Sequence, residues 1–401
     1  MPERASRRLL ALVVPPGAEG VLHVHRALRE AINGTGPSVA LLPTDDGSAH
    51  VRAQRTALAV DTPLEADGIA ALLTTSGSSG DPMGVLLGAA ALCAAAHASH
   101  SALTRGPGRW LVAMPVTAVG GLMTVARAID ADIEPVPWPG VGGAQSFTPE
   151  SFTHTALHAL ELCAADGAPA YVSLVPTQLA RVLDDPAATD ALARFDHVLI
   201  GAAALPTALR HAAVAAGVRL TSTYGASETC GGVVYDGRPL PNVTVTIGDD
   251  ERVRIGGATL ASGYRGRPDL TEAAFHDGAF YTSDIGVLSD GVLTVLGRRD
   301  DVIKVGGRKV SLVAVTDAVR SIDGITDAVA LAIDDPEWGQ IPVIVAIRTA
   351  LGIPADAAIH EAVSDAAGST RASIRWVDSL PYLPNGKIDR MQLRARLEMP
   401  L

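Results

Sequence analysis

Lysine is nearly missing from this 401-residue chain: it occurs only at Lys304, Lys309 and Lys387, so 29 of the 32 basic residues are arginine. A compact ammonium and a planar guanidinium are not interchangeable, so the few positions that keep lysine are candidates for roles arginine cannot fill. Cysteine is equally scarce. Cys93, Cys163 and Cys230 stand far apart, without the paired spacing of a zinc site or a disulfide framework, and reduced, buried thiols are expected. No apolar run approaches the roughly 20 residues of a membrane helix, and Leu9–Val14 is only strand-sized. The opening residues show no cleavage site behind an adequate apolar core, so a cytoplasmic protein without a membrane span is expected. Excess basic charge is also absent. With 43 acidic residues the net charge is −11, which argues against a nucleic-acid partner. Small anionic ligands must then be held by local donors.

What is present is enough apolar material, 48% of residues, for more than one core at this length. Strand-length apolar runs at 110–114, 170–174, 197–200 and 218–221 alternate with alanine-rich segments of helix length, which favours an α/β architecture with parallel strands. From about Val243 the texture changes to short strands and close turns, at 243–247, 252–255, 286–289 and 292–296, and a small β-rich subdomain is expected. After the polar cluster 297–301 the α/β patterning resumes, with a helix expected over 314–321 and strands over 328–333 and 343–347. A domain boundary at 299/300 fits, giving domains 1–299 and 300–401.

One stretch, Thr74 to Gly84, reads TTSGSSGDPMG and lies between a strand expected over 70–74 and a helix expected over 85–98. Glycines at Gly77, Gly80 and Gly84 let the main chain turn its N–H groups inward, and Ser76, Ser78 and Ser79 add hydroxyl donors after Thr75. Such a loop can surround phosphate oxygens with these donors and no positive charge of its own, although a plain serine-glycine connection has the same composition. It is neither the dinucleotide fingerprint nor the Walker loop, which needs Gly-Lys before Ser or Thr.

The stretch resembles the phosphate loop of the adenylate-forming superfamily, which includes acyl-CoA synthetases, luciferases and the adenylation domains of peptide synthetases. That pattern is Thr-Ser-Gly-Ser-Thr-Gly-x-Pro-Lys-Gly, and Met83 stands at its lysine. Four further blocks follow in the family's order. Tyr224-Gly225-Ala226-Ser227-Glu228-Thr229 resembles Tyr-Gly-x-Thr-Glu; the resemblance implies that Tyr224 lies against adenine, with Gly225 and Ser227 beside the nucleotide, and that Glu228 holds Mg²⁺ and serves catalysis. Tyr281-Thr282-Ser283-Asp284 resembles the block whose aspartate accepts from the ribose hydroxyls, a task for which two carboxylate oxygens are suited. Residues 296–304 resemble Gly-Arg-x-Asp-Asp-x-Ile-Lys at the joint between domains, implying nucleotide contacts for Arg298 and Lys304 and a hinge at Asp300. Residues 383–390 resemble the C-terminal block whose lysine, here Lys387, is the adenylation catalyst.

The resemblance implies a large N-terminal adenylating domain of layered α/β sheets with a small β-rich subdomain, plus a small hinged α+β C-terminal domain. It implies two half-reactions: a carboxylate attacks ATP to give an acyl-adenylate and pyrophosphate, then a thiol displaces AMP. ATP, Mg²⁺ and CoA are the expected cofactor and co-substrates, small molecules are the expected partners, and a homodimer is compatible with the family. Two anions must meet, so the positive field of a metal at Glu228 and of Lys387 is central. Rotation at Asp300 would exchange Lys387 for Val305-Gly306-Gly307, a lining for the CoA channel.

The short stretch ahead of the loop, together with 107–115 and Gly120-Gly121-Leu122, resembles the o-succinylbenzoate-CoA ligases of menaquinone biosynthesis. Those commonly carry His-His-Ile-Ala-Gly where this chain has Val116-Thr117-Ala118-Val119-Gly120. The acyl pocket is expected near Thr117, Gly120, Gly201 and Ala202, whose small residues leave room for an aromatic acid and equally suit tight strand packing. Three readings stay open: that ligase, a related ligase for another aryl or acyl acid or a carrier-protein thiol, and a non-catalytic acyl-adenylate binder.

Overall fold

The computed structural model describes residues 8–44, 47–76, 82–348, 356–367, 372–381, 388, 392–394 and 396. Its chain forms two compact units, the first Met1–Thr246 with Arg254–Thr282 and Ser289–Leu293, the second Ile247–Val253 with Ser283–Leu288 and Thr294–Leu401.

In the first unit, Leu9–Val14, Ser38–Pro43 and Ile69–Ser76 are parallel neighbours, and Pro82–Gly88 pairs antiparallel with the last of them. The helix Ala18–Asn33 buries Val21, Val24, Leu28 and Ala31, a three-to-four-residue spacing that puts one stripe on the core. It stops at Gly34, whose φ of 77° ends the helix in the left-handed region glycine adopts freely.

A second sheet has five parallel strands in the order Leu220–Ala226, His197–Ile200, Ala170–Leu174, Arg109–Val112 and Val136–Pro137. Gly231–Tyr235 and Arg238–Pro239 extend it antiparallel at the Leu220–Ala226 end. The strand Ala170–Leu174 is buried along its whole length, as expected of a parallel strand covered on both faces. Trp110, Tyr171, Phe152 and Phe195 are the largest fully buried side chains in this unit. The runs expected at 110–114, 170–174, 197–200 and 218–221 are these strands, displaced by at most a few residues at their ends.

Of the short strands expected after Val243, three are Val243–Ile247, Arg252–Gly257 and Val292–Arg298, and the fourth is the end of the longer Ala279–Ser289; Phe275–His276, not expected, completes a five-stranded sheet. In the second unit, Arg308–Ser311, Val302–Val305, Gly339–Arg348 and Ile325–Asp335 pair antiparallel in that order, and Ser373–Trp376 joins Gly339–Arg348 in parallel. Leu312–Arg320 and Asp356–Ala367 cover a core that includes Ile303, Val315, Ile344 and Val363. The architecture is the layered α/β arrangement with a β-rich sheet and a small α+β unit that the sequence implied. Among the described residues no helix is long and apolar enough to cross a membrane.

Two expectations are corrected. Cys163 and Cys230 are buried as expected, but Cys93 lies on the solvent side of the helix Ala89–Ala102 and is exposed. Residues Pro82–Gly88 are a strand, and the helix expected over 85–98 is Ala89–Ala102. A short apolar run suits a buried strand or a buried helix equally well. Here Val85, Leu86 and Leu87 complete the sheet, facing Leu73, Leu72 and Ala71 with all six buried, and that pairing overrides local propensity. The glycine-serine segment therefore joins two antiparallel strands, and no helix N-terminus follows it directly.

Candidate active site

The arms of that hairpin are regular up to its tip. Thr74 faces Gly84, Thr75 faces Met83 and Ser76 faces Pro82. Thr75 is half-buried, while the Ser76 side chain and all of Gly77, Ser78, Ser79 and Gly80 lie outside the described residues. Met83 is partly buried and packs against the core of the first unit, so an apolar contact replaces the cation of the family pattern. Gly84 has no room for a side chain: a Cβ there would lie 2.7 Å from Ala57 O and 2.8 Å from Arg265 Cβ.

Tyr224, Gly225, Ser227 and Glu228 come together where Leu220–Ala226 turns through Ser227–Thr229 into Gly231–Tyr235. The turn is held by Thr229, whose hydroxyl accepts from Ala226 N at 2.9 Å and donates to Gly231 O at 2.8 Å. Gly225 is required by close approach, since a Cβ would sit 2.0 Å from Gly231 O. Tyr224 and Ser227 are half-buried, and Glu228 is buried. Glu228 Oε1 accepts a hydrogen bond at 2.8 Å from the hydroxyl of Tyr264, a residue the sequence reading did not single out. Burial, with the carboxylate as a second cause, raises the Tyr264 phenol well above its ordinary pKa, so it stays a donor to Glu228.

Beside this turn a cavity of about 110 Å³ opens at the carboxyl ends of the parallel strands, the usual ligand position in such sheets. Three of the four expected acyl-site residues, Gly120, Gly201 and Ala202, line it, as do Gly225 and Thr223; Thr117 is half-buried and is not among the lining residues. Ala202 holds φ 68°, a conformation costly for a residue with a Cβ and often kept at binding sites. Two polar groups that the sequence reading missed also line the cavity. Arg127 is buried 4% exposed, with its Nε donating to Ser99 Oγ at 2.8 Å, its Nη2 donating to Tyr235 OH at 3.5 Å and its guanidinium 5.0 Å from the Trp110 ring centre. It forms no ion pair among the described residues. Ser173 Oγ is buried without a hydrogen-bond partner among the described residues. A signal for Arg127 was in the sequence: on the helix Val119–Asp130 it lies one turn beyond Met123 and two beyond Gly120, on one face.

In the second unit the strand Ala279–Ser289 carries Asp284, half-buried, and Arg298 donates from Nη2 to the adjacent Ser283 Oγ at 2.9 Å. Arg298 is thus brought beside the ribose block. Lys304 is exposed on Val302–Val305, opposite Lys309, which forms an ion pair with Glu251. Gly306 and Gly307, with φ of 53° and 81°, make the two-residue turn of a hairpin whose twist requires positive φ at both positions. Val305 points into the core of its own unit. The side chain of Asp300, in the short turn Arg299–Asp301, and the whole of Lys387 lie outside the described residues.

No group of three or more His, Cys, Asp or Glu suited to a metal occurs among the described residues. Mg²⁺ bound through substrate phosphates keeps most of its shell outside the protein, and the buried carboxylate of Glu228 is an oxygen donor of the type it takes.

A family model described as AMP-binding enzyme matches residues 19–264. The chain is 38% identical over 394 residues to a protein described as a probable 2-succinylbenzoate-CoA ligase of Mycobacterium tuberculosis, with 96% of this chain and 98% of that protein covered. It is 28% identical over 397 residues to a sulfoacetate-CoA ligase of Cupriavidus necator, with 92% and 75% covered. The solved structure of o-succinylbenzoate coenzyme A synthetase from Bacillus subtilis, in complex with ATP and a magnesium ion, is similar with a TM-score of 0.75 at 20% identity, over 96% of this chain and 89% of that one. At that identity the likeness speaks for the fold.

Proposed function

The chain belongs to the AMP-binding enzyme family, and we propose that it activates o-succinylbenzoate with ATP as the acyl-adenylate and transfers the acyl group to CoA, releasing AMP and pyrophosphate. The observation that carries this reading is the buried Arg127 guanidinium at the cavity beside Glu228, with no acidic partner among the described residues. A buried charge is costly unless it is matched. o-Succinylbenzoate has two carboxylates: one is spent on adenylation, and the other needs a cation in an otherwise apolar, glycine-lined space. Ser173 Oγ supplies a further donor there.

The chain's own residues then divide the work. The hairpin at Thr75 to Gly80 and the turn at Tyr224, Gly225 and Ser227 hold the nucleotide, and Asp284, Arg298 and Lys304 complete its site. Mg²⁺ on Glu228 would supply positive charge at the phosphates when bound. Lys387 supplies an ammonium at the reacting α-phosphate, and we place it on a mobile domain, 300–401, that turns at Asp300 relative to 1–299. That rotation clears the space Lys387 occupies, so that the thiol can enter past Val305, Gly306 and Gly307. A cytoplasmic enzyme and a homodimer complete the reading.

A second reading is favoured by the same arginine. An acid bearing another anionic group would meet Arg127 equally well, and the relative named for sulfoacetate is described as acting on such an acid. An ATP–pyrophosphate exchange screen over mono- and dicarboxylates and sulfonated acids separates the two. Strong exchange with o-succinylbenzoate supports the first; none with it and strong exchange with another acid overturns it.

A further inference from the structure

Tyr264 lies 36 residues from Glu228, yet its hydroxyl donates to Glu228 Oε1 at 2.8 Å with both residues buried. The segment that carries it is bonded on two sides. Toward the turn, Ala261 N donates to Glu228 O at 2.8 Å. Toward the hairpin, Ser262 N donates to Leu86 O at 2.8 Å, Leu86 N to Gly263 O at 3.0 Å and Arg265 N to Gly84 O at 2.8 Å. One strand spacing, about 5 Å, therefore separates Tyr264 from the strand that leaves the glycine-serine segment.

The segment is firmly seated. The Arg265 guanidinium, nearly buried, donates to the carbonyls of Leu58, Ala59, Thr62 and Pro63 and pairs with Glu65. The Tyr264 ring meets Phe275 edge-on at 5.7 Å, and Tyr264 N donates to Thr271 Oγ1 at 2.9 Å. A phenol on so rigid a support fixes where its acceptor sits. A carboxylate has about four lone-pair sites, so one bond from Tyr264 is compatible with metal ligation by Glu228.

We infer that Tyr264 is a positioning residue: it sets the Glu228 carboxylate in register with the strand Pro82–Gly88, so that the metal carboxylate is held by one bonded assembly. The inference rests on the reading of Glu228 as the metal carboxylate. Partners that orient a metal ligand typically contribute ten- to hundredfold in metal affinity.

The test is calorimetric titration of ATP into wild type, Tyr264→Phe, Glu228→Gln and the double variant, with Mg²⁺ and with EDTA, and with no acid present. Tyr264→Phe keeps the ring and its packing. The expected result is about tenfold weaker MgATP binding in Tyr264→Phe, unchanged binding of metal-free ATP, and no further loss when Tyr264→Phe is added to Glu228→Gln. Equal loss with and without metal would mean a structural role only, and unchanged MgATP affinity in Tyr264→Phe alone would also overturn the inference. If Glu228→Gln leaves MgATP affinity intact, the metal assignment itself fails. Without an acid in the cell, the outcome is independent of which carboxylate the enzyme activates.

Discussion

Replacing Arg127 by methionine removes the charge at the acyl cavity while keeping an unbranched side chain over Trp110. Ser99 Oγ and Tyr235 OH lie 2.6 Å apart and bond to each other, so neither is orphaned by the change. The free protein loses a buried cation that has no acidic partner among the described residues, and its stability is expected to hold or rise. Function moves the other way. A substrate carboxylate buried against nothing forfeits a charge-assisted pair of about 2.8 kcal/mol, roughly a hundredfold in kcat/KM. The assay is pyrophosphate release with o-succinylbenzoate and with 3-benzoylpropionate, the same acid without its ring carboxylate. Wild type should prefer the dicarboxylate by roughly a hundredfold, and Arg127→Met should erase most of that preference while leaving KM for ATP unchanged. Equal loss on both acids, or undiminished preference for the dicarboxylate, would refute the role given to Arg127.

Met83→Lys restores the family cation at a partly buried position whose lysine stem can lie along the same apolar surface; KM for ATP should fall several-fold with kcat moving less, and a large gain in kcat instead would show that the missing cation limits the chemistry. Gly225→Ala forces a Cβ to 2.0 Å from Gly231 O, and a loss of about 3 kcal/mol is expected in denaturant unfolding, with MgATP binding weakened in the fraction that folds. His25, His100 and His197 are held below the ordinary imidazole pKa of about 6.5, chiefly by burial. Below that value the unfolded chain binds protons the folded chain does not, so Tm should fall as pH drops from 7.5 to 5.5. His100→Gln should flatten that slope.

The sequence was most legible where function requires a fixed run of neighbours. Residues 74–84, 224–229, 281–284, 296–304 and 383–390 each resemble a block of the adenylate-forming superfamily, and the strands of the parallel sheet stand out because both faces are buried. It was least legible where the outcome depends on a distant partner. Pro82–Gly88 is a strand because Ile69–Ser76 lies beside it, not because of its own composition. Tyr264 reads as an unremarkable aromatic until Glu228 is found against its hydroxyl, and Arg127, one of 29 arginines, shares a helix face with Gly120 and Met123 but stands out only once its burial at a cavity is seen. Met83 was visible as a departure from the family pattern, but its packing against the core was not.

The reaction is tested most directly by mass-spectrometric detection of the thioester formed from o-succinylbenzoate, ATP, Mg²⁺ and CoA by the purified chain, beside Lys387→Ala. Wild type should give o-succinylbenzoyl-CoA and stoichiometric AMP, with formation strongly reduced in Lys387→Ala. Background-level thioester in both, with ATP still bound, would contradict this reaction and identify a nucleotide binder instead.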